Sequence, residues 1–124
     1  MSLVRNIDWF RPINDRLDES LLIYAACDSK YLSFGTALVN SVEVFSPGHS
    51  FLLHLINPSA DDLKQVDSLA GSLSSTRLFI SMESIDLSAF TSAEQVTYYA
   101  CARFLHLAEL LPQLARPVLC LDAD

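Results

Sequence analysis

Two aspartates, Asp122 and Asp124, stand at the end of the chain with a single alanine between them. They follow an apolar run, Val118 to Leu121, that is typical of a buried strand. Side chains in an extended chain alternate sides, so these two carboxylates point the same way and repel each other unless a cation lies near them. Mg²⁺ and Mn²⁺ prefer oxygen ligands, commonly one or two carboxylates plus substrate phosphates. The pair is therefore a candidate metal site, and a solvated strand end is the alternative.

A second stretch whose side chains could bind a ligand is Asp28-Ser29-Lys30-Tyr31. It follows another apolar run, Leu21 to Cys27. It offers a carboxylate and an aromatic ring directly after a candidate strand. Tyr31 could equally be a half-buried aromatic at the start of a helix.

The elements that position these residues alternate along the chain. The hydrophobic pattern predicts strands at 21–27, 50–57, 76–82 and 116–122, separated by helices at 32–46, 59–73 and 96–111. This alternation predicts an α/β fold, a Rossmann-like three-layer α/β/α arrangement with a mostly parallel sheet. With right-handed crossovers, we expect the four strands to lie in the order 3-2-1-4. Residues 1–20 are interpreted as an N-terminal arm or short helix.

In this order the first and fourth strands lie side by side, at the point where the strand order reverses. Open α/β sheets bind ligands at the carboxyl ends of their strands at such a switch point. The sequence therefore predicts that Asp28 and Tyr31 face Asp122 and Asp124 across one site.

Composition narrows the classes of function. The 124 residues fit one domain, and the net charge of −7 disfavours a nucleic-acid binder. Three glycines leave no G-x-G-x-x-G or P-loop motif, so any phosphate would be neutralised by a metal instead. No apolar run is long enough for a transmembrane segment, and the N-terminus lacks a signal-peptide pattern. Three cysteines without a CxxC pair are interpreted as buried, reduced thiols of a cytoplasmic protein, at most peripheral to a membrane.

The joint pattern resembles the nucleotide-binding half of GT-A glycosyltransferases. It consists of LLIYAACDSKYLSFGTALVNSV, then HLIN, then TYYACARFLHLAELLPQLARPVLCLDAD, and covers residues 21–124. The likeness is above all to the family 8 group, which includes bacterial lipopolysaccharide galactosyl- and glucosyltransferases and glycogenin. Lys30 stands where many relatives have Asn or another small polar residue.

The resemblance implies a nucleotide-sugar site, with a UDP-sugar as the expected donor. Asp28 would hydrogen-bond the uracil ring, Tyr31 would contact base and ribose, and Arg103 would contact the donor near its phosphates or sugar. Asp122 and Asp124 would bind Mn²⁺ or Mg²⁺ together with the diphosphate. The expected nucleotide-sugar-binding residues are Ala26, Asp28, Tyr31, Arg103 and Asp122.

The same resemblance places the catalytic residues and the acceptor pocket downstream of Asp124. We therefore expect residues 21–124 to be the donor-binding part of a hexosyltransferase acting on a bacterial polysaccharide or lipopolysaccharide-type glycan, inactive by themselves. Exposed apolar surface and open strand edges would favour a homo-oligomer.

Two other classes stay open. One is an inactive scaffold or interaction module with the same fold. The other is a flavodoxin- or receiver-like signalling domain with Asp28 and Asp122 in an acidic pocket, which Glu83 disfavours because a receiver has an aspartate after that strand. His54 and His106 are interpreted as structural histidines, and Tyr98 and Tyr99 as packing residues.

Overall fold

The computed structural model describes residues 5–14 and 20–122. Within these ranges the chain forms five strands, three α-helices and two short 3₁₀ turns. The strands are β1 (Asn6–Arg11), β2 (Leu22–Asp28), β3 (Ser50–Ile56), β4 (Arg77–Ser84) and β5 (Val118–Cys120). The helices are α1 (Leu32–Phe45), α2 (Ala60–Ser72) and α3 (Ser92–Leu110), and the 3₁₀ turns are Ser29–Tyr31 and Leu111–Gln113.

The strands form one mostly parallel sheet in the order β1-β4-β3-β2-β5, which confirms the predicted α/β class. The pairs β2–β3, β3–β4 and β2–β5 are parallel, whereas β1 pairs with β4 in the antiparallel direction. The strand order differs from the predicted four-stranded 3-2-1-4 because β1 adds an edge strand. The four other strands lie in the order β4-β3-β2-β5, so β2 and β5 are neighbours.

The edge strand β1 corrects the interpretation of the N-terminal segment as an arm or short helix. Asn6–Arg11 pairs along β4, with an irregularity between Trp9 and Arg11. Its side chains are exposed or only half-buried, and the polar–apolar alternation that begins at Asn6 ends at Phe10, after only four residues. Pairing with β4 covers an edge of the sheet that would otherwise be open.

Helices cover both faces of the sheet. Val39 of α1 and Val66 of α2 pack against Leu53 on one face, while Leu107 and Leu110 of α3 pack on the other. Because both faces are covered, β2 and β3 are apolar almost throughout, as expected of buried parallel strands. Among the residues that the structure describes, no helix is long and apolar enough to cross a membrane.

Helix starts follow their capping residues. Ser59 caps α2 in a capping box with Asp62, as the sequence predicted for the start of that helix. Helix α3 begins at Ser92, four residues before the predicted start, because Thr91 and Glu94 form a second capping box. The connection between β4 and α3 is therefore shorter than the predicted ends of the strand and the helix imply, and comprises residues 85–91.

Gly35 allows α1 to pack closely on β2. A Cβ atom at this position would lie 3.0 Å from Cys27 Sγ. This approach places the turn between β2 and α1 directly at the end of the strand.

Cys27 is buried, and burial raises the pKa of its thiol to about 12. Cys101, by contrast, is exposed, so the expectation that all three thiols are buried is wrong for that residue.

Candidate functional site

The candidate site lies at the carboxyl ends of β2 and β5. The parallel register pairs Leu22 with Val118 and Tyr24 with Cys120, and Leu121 N–H donates to the carbonyl of Tyr24 at 2.7 Å. If both strands are followed for two more residues in the same register, Asp122 lies opposite Ala26. The neighbouring strands thus place polar residues from two distant segments at one edge of the sheet, as expected for a switch point.

A pocket of about 430 Å³ opens at this edge. It is lined by every predicted nucleotide-sugar-binding residue, namely Ala26, Asp28, Tyr31, Arg103 and Asp122. The second predicted metal ligand, Asp124, lies outside the described residues. The structure therefore brings together five of the six predicted site residues, from three separate segments of the chain.

Asp28 fixes the turn that carries Tyr31. Its Oδ1 accepts the backbone N–H of Tyr31 at 3.2 Å and caps the 3₁₀ turn, so a polar residue is needed here for local reasons as well. The half-buried Tyr31 ring lies 5.9 Å from the ring of Phe34, and Lys30 Nζ lies 5.4 Å from its centroid. The turn thereby presents an aromatic ring, a carboxylate and an ammonium group to the pocket.

Arg103 and Asp122 form an ion pair inside the pocket, with Arg103 Nη1 3.0 Å from Asp122 Oδ1. The Arg103 side chain is 25% exposed and the Asp122 side chain is 58% exposed. Arg103 Nε is buried and has no hydrogen-bond partner in the described part of the chain. Because Arg103 lines the pocket, an anion that enters it could compete with Asp122 for the guanidinium.

Of the two predicted metal ligands, only Asp122 lies within the described residues. Within 5–14 and 20–122 there is no group of three or more His, Cys, Asp or Glu side chains that could hold a metal ion. Asp122 supplies one oxygen donor of the kind that Mg²⁺ and Mn²⁺ prefer. The pocket lining carries two carboxylates, Asp28 and Asp122, and two cations, Lys30 and Arg103, so its formal charges balance.

Helix α3 contributes pocket residues that the sequence interpretation missed. Tyr99, interpreted as packing, lines the pocket, whereas Tyr98 is buried in the core as predicted. A signal was available, because the pocket residues recur at intervals of three and four before Arg103, on one face of a helix. They are Ser92, Gln95, Val96, Tyr99 and Ala100.

A second group of polar side chains lies between the sheet and α3, and all of them are buried except the half-buried Arg5 and the exposed Glu109. We call it the Glu83 cluster; it comprises Arg5, His54, Ser81, Glu83, Tyr98 and Glu109. Arg5 donates from Nη2 to Glu83 Oε1 at 2.9 Å and from Nε to Glu83 Oε2 at 3.2 Å. The Tyr98 hydroxyl donates to the same carboxylate, and Arg5 also pairs with Glu109.

The Glu83 carboxylate is ionised although it is fully buried. Burial opposes its charge, but hydrogen bonds from His54 and Arg5 outweigh burial and hold the pKa of Glu83 below its ordinary value. His54 Nε2 lies 3.0 Å from Glu83 Oε1, and its Nδ1 lies 2.7 Å from Ser81 Oγ. Burial lowers the pKa of His54, so the neutral ring donates to Glu83 and accepts from Ser81.

Ser81, His54 and Glu83 have the composition of a hydrolase triad but not its accessibility. A nucleophilic serine must meet a substrate, whereas all three side chains are fully buried. The ring is also reversed, with the serine at Nδ1 and the carboxylate at Nε2. The group is therefore structural.

His106 extends this buried polar region along α3. Its ring stacks on His54 with centroids 3.8 Å apart, and its Nδ1 lies 2.9 Å from the Tyr24 hydroxyl. Burial lowers the pKa of His106 to about 3, so Nδ1 accepts the hydroxyl proton. The structure agrees with the interpretation of His54 and His106 as structural histidines.

Comparison of the chain with protein-family models, with curated proteins and with solved structures finds no match. The function of the chain therefore has to be inferred from its sequence and from the geometry of the pocket.

Proposed function

We propose that the pocket binds the nucleotide part of a nucleotide sugar, expected to be a UDP-sugar, in a metal-dependent glycosyltransferase of the GT-A type. One observation carries this proposal: residues chosen from the sequence for this role, and far apart along the chain, line a single pocket at the carboxyl ends of β2 and β5. These residues are Ala26, Asp28, Tyr31, Arg103 and Asp122.

The groups in the pocket suit the parts of such a ligand. The Tyr31 ring offers a face for a nucleobase or ribose, and Asp28 offers a carboxylate acceptor for the base N–H. Arg103 offers a planar guanidinium, which binds phosphate oxygens with two parallel hydrogen bonds. The pocket volume of about 430 Å³ lies in the range of small-molecule sites.

The charge balance supports metal dependence. Because Lys30 and Arg103 only offset Asp28 and Asp122, a diphosphate would add uncompensated negative charge to the pocket. Asp122, together with Asp124, would hold Mn²⁺ or Mg²⁺, and the bound ion would stabilise the charge on the departing nucleoside diphosphate. Arg103 would then exchange its contact with Asp122 for one with the donor.

The wider assignment follows from the resemblance. The acceptor would be a bacterial polysaccharide or lipopolysaccharide-type glycan, and the transfer would take place at the cytoplasmic side.

An inactive scaffold is the alternative, and exposed apolar side chains favour it. Phe45 is 85% exposed and Phe104 is 59% exposed, so each offers an apolar ring to a partner. A scaffold of this kind would associate with itself or a partner and would not bind UDP.

Calorimetric titration of UDP, with and without Mn²⁺, tests the proposal. We expect binding that strengthens with Mn²⁺, loss of that metal dependence in Asp122→Ala, and roughly tenfold weaker binding in Tyr31→Ala, in line with base–aromatic stacking of about 1–3 kcal/mol. Phe45→Ala, which removes an aromatic ring from the far end of α1, is the matched control. Absence of UDP binding by the wild-type chain with Mn²⁺ would overturn the proposal, and self-association under the same conditions would favour the scaffold.

A further inference from the structure

We infer that Glu83 is a positioning residue for the pocket: through the Glu83 cluster, it holds α3 where Arg103 reaches Asp122. The inference deepens the proposed function, on which its ligand-binding readout rests.

Glu83 lies close to the pocket without lining it. The register of β3 and β4 pairs Glu83 with Ile56, and Ile56 is a pocket residue. The main chain is fixed here too, because Asn57 N–H donates to the Glu83 carbonyl at 2.7 Å and Asn57 Oδ1 accepts from Ile85 N–H at 2.8 Å. The backbone that carries the Glu83 side chain is thus held in place by these hydrogen bonds.

The carboxylate joins three parts of the chain. It accepts from Arg5 beside β1, from His54 on β3 and from Tyr98 on α3. Arg5 also pairs with Glu109, eleven residues after Tyr98 on the same helix. Glu83 therefore holds α3 at two points that are three turns apart, directly through Tyr98 and through Arg5 at Glu109.

Helix α3 carries two adjacent stripes of residues, roughly a quarter-turn apart around its axis. One stripe contains Tyr98 and Glu109 and faces the Glu83 cluster. The other stripe contains Gln95, Tyr99 and Arg103 and lines the pocket. Both stripes belong to one helix. A shift or rotation of α3 that changes the contacts of the first stripe with the Glu83 cluster therefore also moves the second stripe in the pocket.

Arg103 joins α3 to the segment after β5. Its guanidinium carbon lies 4.9 Å from the ring centroid of Phe104 on the same helix, and Nη1 meets Asp122 beyond β5. Arg103 Nε is buried without a hydrogen-bond partner in the described residues. A displaced helix would move this buried N–H and lengthen the ion pair.

The experiment compares Glu83→Gln and Tyr98→Phe with Val66→Ala. Tyr98→Phe removes a single hydroxyl from the cluster and keeps the ring, so it remains informative where Glu83→Gln fails to fold. Val66 is fully buried in α2 on the opposite face of the sheet, so Val66→Ala lowers stability without touching the cluster. Two readouts are taken well below the unfolding temperature: the Arg103 Nε–H resonance of the free protein, assigned with Arg103→Lys, and the Kd for UDP with Mn²⁺.

We expect both cluster variants to shift the Arg103 resonance and to raise the Kd about tenfold, the lower end of what outer-shell partners of metal sites contribute. Val66→Ala should change neither readout. The inference is overturned if Tyr98→Phe leaves the Arg103 resonance in place, or if Val66→Ala moves it equally. Because that resonance needs no ligand, failure of the wild-type chain to bind UDP would overturn the proposed function alone.

Discussion

Two arginine–carboxylate pairs flank α3, and they differ in almost everything except their chemistry. The Arg5–Glu83 pair has side chains 16% and 0% exposed, and further donors from His54 and Tyr98 saturate the carboxylate. The Arg103–Asp122 pair has side chains 25% and 58% exposed and leaves Arg103 Nε without a partner in the described residues. One pair is closed to ligands and the other is open to them.

The difference separates a structural use of charge from the ligand-binding use that we propose for the pocket. A buried pair costs several kcal/mol to desolvate and is kept only when its hydrogen bonds are complete. An exposed pair contributes little stability, so its partners can exchange for a ligand at small cost. Residue type therefore does not distinguish the two roles, whereas burial and hydrogen-bond saturation do.

Removing the buried carboxylate should produce the largest effect. Glu83→Ala leaves buried His54 without its acceptor at Nε2 and takes from Arg5 its buried carboxylate, so we expect the free energy of unfolding to fall by about 3–5 kcal/mol. Asp122→Ala removes the exposed carboxylate and should cost less than about 1 kcal/mol. Urea denaturation at pH 7 measures both, and equal losses in the two variants would contradict the distinction between the regions.

Acid should weaken the buried region first, because its histidines are held neutral. The folded pKa of His106 is about 3, below an unfolded value of about 6.5, so the unfolded chain binds more protons between these values. The contribution of His106 is complete above about pH 6.5 and declines as the pH falls, by roughly 2 kcal/mol between pH 7 and pH 5. The measurement is the free energy of unfolding by urea at several pH values.

The matched variant for this pH series is His106→Gln, which can still accept the Tyr24 hydroxyl but cannot be protonated in this range. It should lose less stability between pH 7 and pH 5 than the wild-type chain. Parallel curves for the two proteins would refute the assignment of the slope to His106. The remaining slope should come from His54, whose pKa burial also lowers.

The two regions also differ in how far the sequence predicts them. Asp28, Tyr31 and Asp122 follow apolar runs, and strand alternation alone brings such residues to one edge of a parallel sheet. The Glu83 cluster includes Arg5, directly before β1. The polar–apolar alternation of this edge strand spans only four residues, so neither the strand nor Arg5 as a partner was predicted. Tyr99 was missed for another reason: it lies four residues before Arg103, on the same face of the helix, and its interpretation as a packing residue did not use this spacing.

The smallest predicted effect concerns the open pair itself, and a double-mutant cycle on Arg103→Ala and Asp122→Ala measures it. In the free protein the coupling energy between the two side chains should not exceed about 1 kcal/mol and should shrink in high salt, because both are partly solvated. A coupling of several kcal/mol would mean that the pair is a structural lock like Arg5–Glu83. A weak coupling means that Asp122 can be released to a metal ion, and Arg103 to a phosphate, without disturbing the fold.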